Sequence, residues 1–84
     1  HPGFSILMQK SRGVIIGKNC HFSPYVQIDL IYPQLVNIGN NVTFGANSFI
    51  RNSDIKSDKI VVGQWPNNKL IENKYNNCEY YFGN

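Results

Sequence analysis

Bulky apolar residues recur along this chain at every sixth position. In the stretch VNIGNNVTFGANSFIRNSD, from Val36 to Asp54, one column holds Ile38, Phe44 and Ile50, and a second, two residues earlier, holds Val36, Val42 and Ser48. The same interval puts Ile16, Phe22 and Ile28 in a bulky column, with Val14, Cys20 and Val26 in a smaller one. A helix repeats its apolar face at about 3.6 residues and a half-buried strand alternates, so a period of six needs a different arrangement. Short parallel strands that each turn a corner after one hexapeptide supply it.

The polar positions keep the same step. Gly17, Gly39 and Gly45 each directly follow a column residue, and Asn19, Asn41 and Asn47 each lie three positions after one. Glycine accepts positive φ without steric cost and asparagine tolerates it, which predicts corners at these places. The step lengthens from six to ten between Ile28 and Ile38, so four residues are inserted within LIYPQL, residues 30–35. Pro33 keeps that insertion from pairing, and Leu30, Ile31 and Tyr32 beside it predict an exposed apolar contact patch.

These patterns predict a single domain over residues 1–84. Its parts are a first coil at 14–29, the insertion at 30–35 and a second coil at 36–53. A loop with a partial third coil then spans 54–63, and a closing segment and tail span 64–84. Ile16 should lie below Ile38, Phe22 below Phe44 and Ile28 below Ile50, with Ile15 and Tyr25 facing outward and Pro24 at a corner. Lys56 breaks the bulky column, which Ile60 and Val62 resume before Gly63. The apolar run from Phe4 to Met8 reads as a strand capping the first coil or as the tail end of a missing element. The tail carries a cluster of Tyr80, Tyr81 and Phe82.

A chain of 84 residues buries only about 60% of its unfolded surface, so a homo-oligomer or a longer parent chain is expected to cover what remains. Eight basic and five acidic residues give a net charge of +3, spread without the density of a nucleic-acid surface. Twelve asparagines make the surface polar rather than charged. Cys20 and Cys78 form neither a disulfide framework nor a metal spacing. Cys20 reads as a buried free thiol in the small column, and a bridge to Cys78 requires the tail to fold back over the first coil. Asn41 to Thr43 matches a glycosylation sequon but falls inside the repeat, where it reads as corner chemistry. No stretch approaches the roughly 20 apolar residues of a membrane span, and the apolar start is too short for a signal peptide; a cytoplasmic protein is expected.

The segments IIGKNCHFSPYVQI and LVNIGNNVTFGANSFI resemble the hexapeptide-repeat acyltransferases, in particular the sugar or polysaccharide O-acetyltransferase branch, over roughly residues 14–71. The resemblance implies an all-β fold, a left-handed parallel β-helix of two to three coils with irregular ends. It also implies a homotrimer and acetyl-coenzyme A bound between subunits, with no metal, and transfer to a sugar or polysaccharide hydroxyl. Such a transfer needs a base for the hydroxyl proton, and histidine suits neutral pH. Aligned on the family's Thr-His-Asp-like sequence, Ser53 holds the histidine position and Asp54 matches the aspartate; serine is no base near neutrality. The remaining histidines are His21, at a variable corner and able to reach a site across a subunit interface, and His1 at the terminus. Gly45, Ala46, Gly63 and Lys69 match the positions at which the family holds its cofactor, and Trp65 offers a stacking surface for adenine. The alternative is a non-catalytic relative that oligomerises or binds. An ice-binding solenoid would show a Thr-x-Thr ladder, which this sequence lacks.

Overall fold

The computed structural model describes residues 6–29 and 31–74. His1, Phe4, Leu30, Cys78 and the cluster of Tyr80, Tyr81 and Phe82 lie outside the described residues. Ile6–Ser11 form a helix, α1, in place of the capping strand that the apolar run predicts. Leu, Met, Gln and Lys all have good helix propensity, and Gly13, at φ +105°, ends the turn by donating its N–H to the Lys10 carbonyl at 3.0 Å.

Among the described residues, nine short strands follow. They are β1 (Ile15–Ile16), β2 (His21–Phe22), β3 (Gln27–Ile28), β4 (Asn37–Ile38), β5 (Thr43–Phe44), β6 (Phe49–Ile50), β7 (Asp54–Ile55), β8 (Lys59–Val62) and β9 (Lys69–Glu72). The insertion before β4 is a 3-10 turn, Pro33–Leu35, with Pro33 buried and Ile31, Tyr32 and Leu35 exposed. The strands assemble into three sheets, in the orders β1-β4-β7, β2-β5-β8-β9 and β3-β6. All pairs are parallel except β8 with β9.

The expected all-β, left-handed parallel β-helix of two to three coils is corrected by this topology. The strands lie in separate parallel and mixed sheets, none of them closed or continued as a solenoid, and a helix precedes them. The result is a compact globule measuring 35 × 25 × 20 Å. Two features oppose a regular winding. Most strands are only two residues long, so each ladder stops at the next corner, and β9 folds back antiparallel on β8.

The pairing of like residues is found as the columns predict. Ile16 faces Ile38, Phe22 faces Phe44 and Ile28 faces Ile50 in the parallel register. The Phe22 and Phe44 rings stack with centroids 4.7 Å apart and planes 8° from parallel. Phe44, Ile38, Ile50, Val36 and Val42 are fully buried, each contributing roughly 1.5–3 kcal/mol from apolar burial. Ile15 and Tyr25 are exposed, as their offsets require.

Beyond Ile50 the phase shifts. The first and second rows of strands are related by 22 positions, as in the bond from Lys18 N to Asn40 Oδ1, but the second and third by 17, as in Asn41 Nδ2 to Asp58 Oδ1. Three full hexapeptides would need one more residue. Asn52, at φ +45°, makes the bend that omits it. Ile55 and Val61 therefore lie under Ile38 and Phe44 and are buried, while Ile60 and Val62, the residues that an unbroken period selects, are only half-buried. The segment read as a loop accordingly contains β7.

The corners divide the labour between asparagine and glycine. Asn19, Asn41 and Asn47 take positive φ of 59°, 58° and 63°, as does Tyr25 at 65°. Gly17 and Gly39 do not; they are needed because rows approach closely. A Cβ on Gly17 would stand 2.5 Å from the Gly39 carbonyl oxygen, and one on Gly39 would stand 2.7 Å from the Ser57 nitrogen.

Candidate functional site

The residues suggested for catalysis sit in different sheets. His21 lies on β2, half-buried and opposite Thr43 in the four-stranded sheet. Asp54 lies on β7 in the three-stranded sheet, opposite Asn37, and its exposed carboxylate pairs with Lys56 at 3.1 Å. Ser53 donates its hydroxyl to the Arg51 carbonyl at 2.7 Å, which shapes the bend before β7. Ser53 and Asp54 are thus sequence neighbours committed to local structure, and neither sheet brings them into register with His21.

The residues suggested for cofactor binding lie on neighbouring segments joined by backbone pairing. Gly45 donates its N–H to the Val61 carbonyl at 2.8 Å, which sets 45–47 directly against 62–64, and Ala46 is exposed at the tip of that turn. Gln64 Nε2 donates to the Asn47 carbonyl. Phe49 and Gln64 form a parallel bridge, with Phe49 N–H donating to the Gly63 carbonyl at 3.1 Å and Trp65 N–H to the Phe49 carbonyl at 2.8 Å. Gly63 takes φ +90°, which only glycine adopts freely. Lys69 starts β9 opposite Val62, with its side chain exposed.

Asn68, Arg51 and Asp29 support the turn around Trp65. Asn68 Nδ2 donates to both the Phe49 and Gly63 carbonyls, at 3.0 and 2.8 Å, and pins the turn that carries Trp65. The Arg51 guanidinium carbon lies 5.2 Å from the centroid of the Trp65 ring, within cation–π range. Arg51 Nε also pairs with Asp29 Oδ2 at 3.4 Å. Asp29 is buried, and its Oδ1 accepts the N–H groups of Ile31 and Tyr32 at 2.8 and 3.2 Å. The Ile31 N–H holds this carboxyl below the usual range; burial opposes the effect, and the Tyr32 N–H and Arg51 add to it. Arg12 Nη2 donates to the Asp29 carbonyl at 2.6 Å, tying the residues just after α1 to the same point.

Sequence reading misses Arg51 and Asp29, yet a signal exists. Each directly follows the bulky residue of a paired strand, Ile28 and Ile50, so opposite charges occupy the same offset in facing rows. Asn68 carries no comparable mark.

Cys20 is half-buried at the rim of the core, its thiol donating to the Gly39 carbonyl at 3.2 Å. Burial pushes this thiol's pKa up, which backbone N–H groups of Val42 and Asn41 only partly offset. A bridge to Cys78 lies outside the described residues. Among the described residues, no three of His, Cys, Asp and Glu are grouped as metal ligands, and no helix is long and apolar enough to cross a membrane. Scans against family models, curated proteins and solved structures match nothing to this chain.

Proposed function

We propose that this protein binds an adenine-nucleotide ligand, with acetyl-coenzyme A the first candidate, and that it works as a binding module rather than a transferase. One observation carries the proposal: the exposed Trp65 follows Gly63 in a hydrogen-bonded turn and has the Arg51 guanidinium carbon 5.2 Å from its ring centroid. An indole face takes a planar base by stacking, worth roughly 1–3 kcal/mol per base. Arg51 supplies positive charge beside it, and the turn 63–65, held by the Trp65 N–H to the Phe49 carbonyl, presents the ring already oriented. Transfer to a sugar or polysaccharide hydroxyl lacks comparable support, because Ser53 and Asp54 serve the bend before β7 and His21 belongs to a different sheet.

Isothermal titration of the full chain with acetyl-coenzyme A tests this reading. Binding is expected, and Trp65→Ala should weaken it about tenfold, the loss of one stacked base; absence of heat with the folded wild-type protein would sink the proposal. Coenzyme A release in the presence of sugar acceptors should stay at background. Turnover that disappears in His21→Ala would replace the binding reading with the transferase one. A cytoplasmic location and a homotrimer belong to the same proposal. The exposed Ile15, Tyr25, Ile31, Tyr32 and Leu35 provide apolar surface for subunit contact. Light scattering giving the monomer mass would remove the trimer.

A further inference from the structure

We infer that Arg51 is the residue that reads the ligand's phosphate at the Trp65 face, an assignment that rests on the nucleotide-binding reading above. Arg51 is oriented from two sides. Its Nε pairs with the buried Asp29 carboxylate at 3.4 Å, and its guanidinium lies 5.2 Å from the Trp65 ring centroid. Asp29 is itself fixed by the Ile31 and Tyr32 N–H groups, so the support under Arg51 is rigid. A guanidinium carries five N–H donors in a planar fork. With Nε turned to Asp29, the terminal amino groups are the ones able to meet an anion, and the side chain keeps 38% of its surface in solvent.

The same two contacts couple the halves of a nucleotide. A base stacked on Trp65 brings its phosphates to the guanidinium, where a planar fork matches phosphate oxygens better than a point charge does. Lys69 starts β9 opposite Val62 and is exposed. The geometry therefore gives orientation to Arg51.

Trp65 is the chain's single tryptophan, so quenching of its fluorescence reports occupancy directly. Wild-type protein should bind ADP about tenfold more tightly than adenosine, as one charge-assisted contact requires. In Arg51→Gln that ratio should fall to about one, with adenosine binding little changed. Arg51→Lys should recover only part of it. Arg51→Gln should lower the melting temperature through Asp29, but a purely structural arginine would leave the ADP-to-adenosine ratio untouched. An unchanged ratio in Arg51→Gln overturns the assignment, as does transfer of the whole effect to Lys69→Ala. If wild-type protein binds neither coenzyme A nor ADP, the nucleotide reading fails and this inference fails with it.

Discussion

At the scale of single residues, the molecule depends on a few positions with strict backbone or charge requirements. Asn41 holds φ +58° while its side chain donates to Asp58. Replacement by alanine loses that bond and strains the left-handed conformation, at a cost of about 1–2 kcal/mol, whereas Asn41→Gly should lose less; chemical denaturation of the pair checks the order. Asp29 has a pH signature. Its folded pKa lies below the unfolded value of about 3.9, so the stability it contributes is fully present above that value and disappears as pH falls through the lowered folded one. Asp29→Asn should be less stable than wild type at pH 7 and show a flatter decline as pH falls below about 4 in thermal melts. The asparagine conformations were legible from their spacing. The glycines were legible as corners, but their physical reason was not, since close approach between rows is a distance and not a local preference.

At the scale of elements, the six-residue columns identify which strands face one another through Ile50 and then lose a residue. Phe44 is fully buried against Phe22 and the strands on either side, and Phe44→Ala should cost about 3–5 kcal/mol in a urea titration, enough to unfold a small domain. The shifted third row makes a sharper prediction. Val61→Ala should destabilise more than Ile60→Ala although isoleucine is larger, because Val61 is fully buried beneath Phe44 and Ile60 is not. The reverse order would restore the unbroken period. Helix α1 was missed because a short apolar run has no period long enough to separate helix from strand, and the closing bond from Gly13 to Lys10 decides it. Strand β9 was missed because its four residues belong to no column, being held by antiparallel pairing to β8.

At the scale of the whole molecule, the chain carries a small positive net charge, and Arg51 lies against the Trp65 ring. Raising the salt concentration from about 0.05 to 0.2 M should weaken coenzyme A binding several-fold through screening, while adenosine binding stays nearly constant; equal salt dependence would argue against phosphate contact. As far as Ile50 the sequence by itself determined which rows pair and most of the interior side chains, because burial at a fixed step leaves its mark on residue type. Only the tertiary structure decided that those rows form separate sheets ending in an antiparallel strand. It likewise decided that Trp65 meets Arg51 and that Asp29 stands behind it. Those outcomes depend on the exact residue count in each bend: the shortened turn at Asn52 moves every later side chain relative to the rows before it, and no local pattern records that displacement.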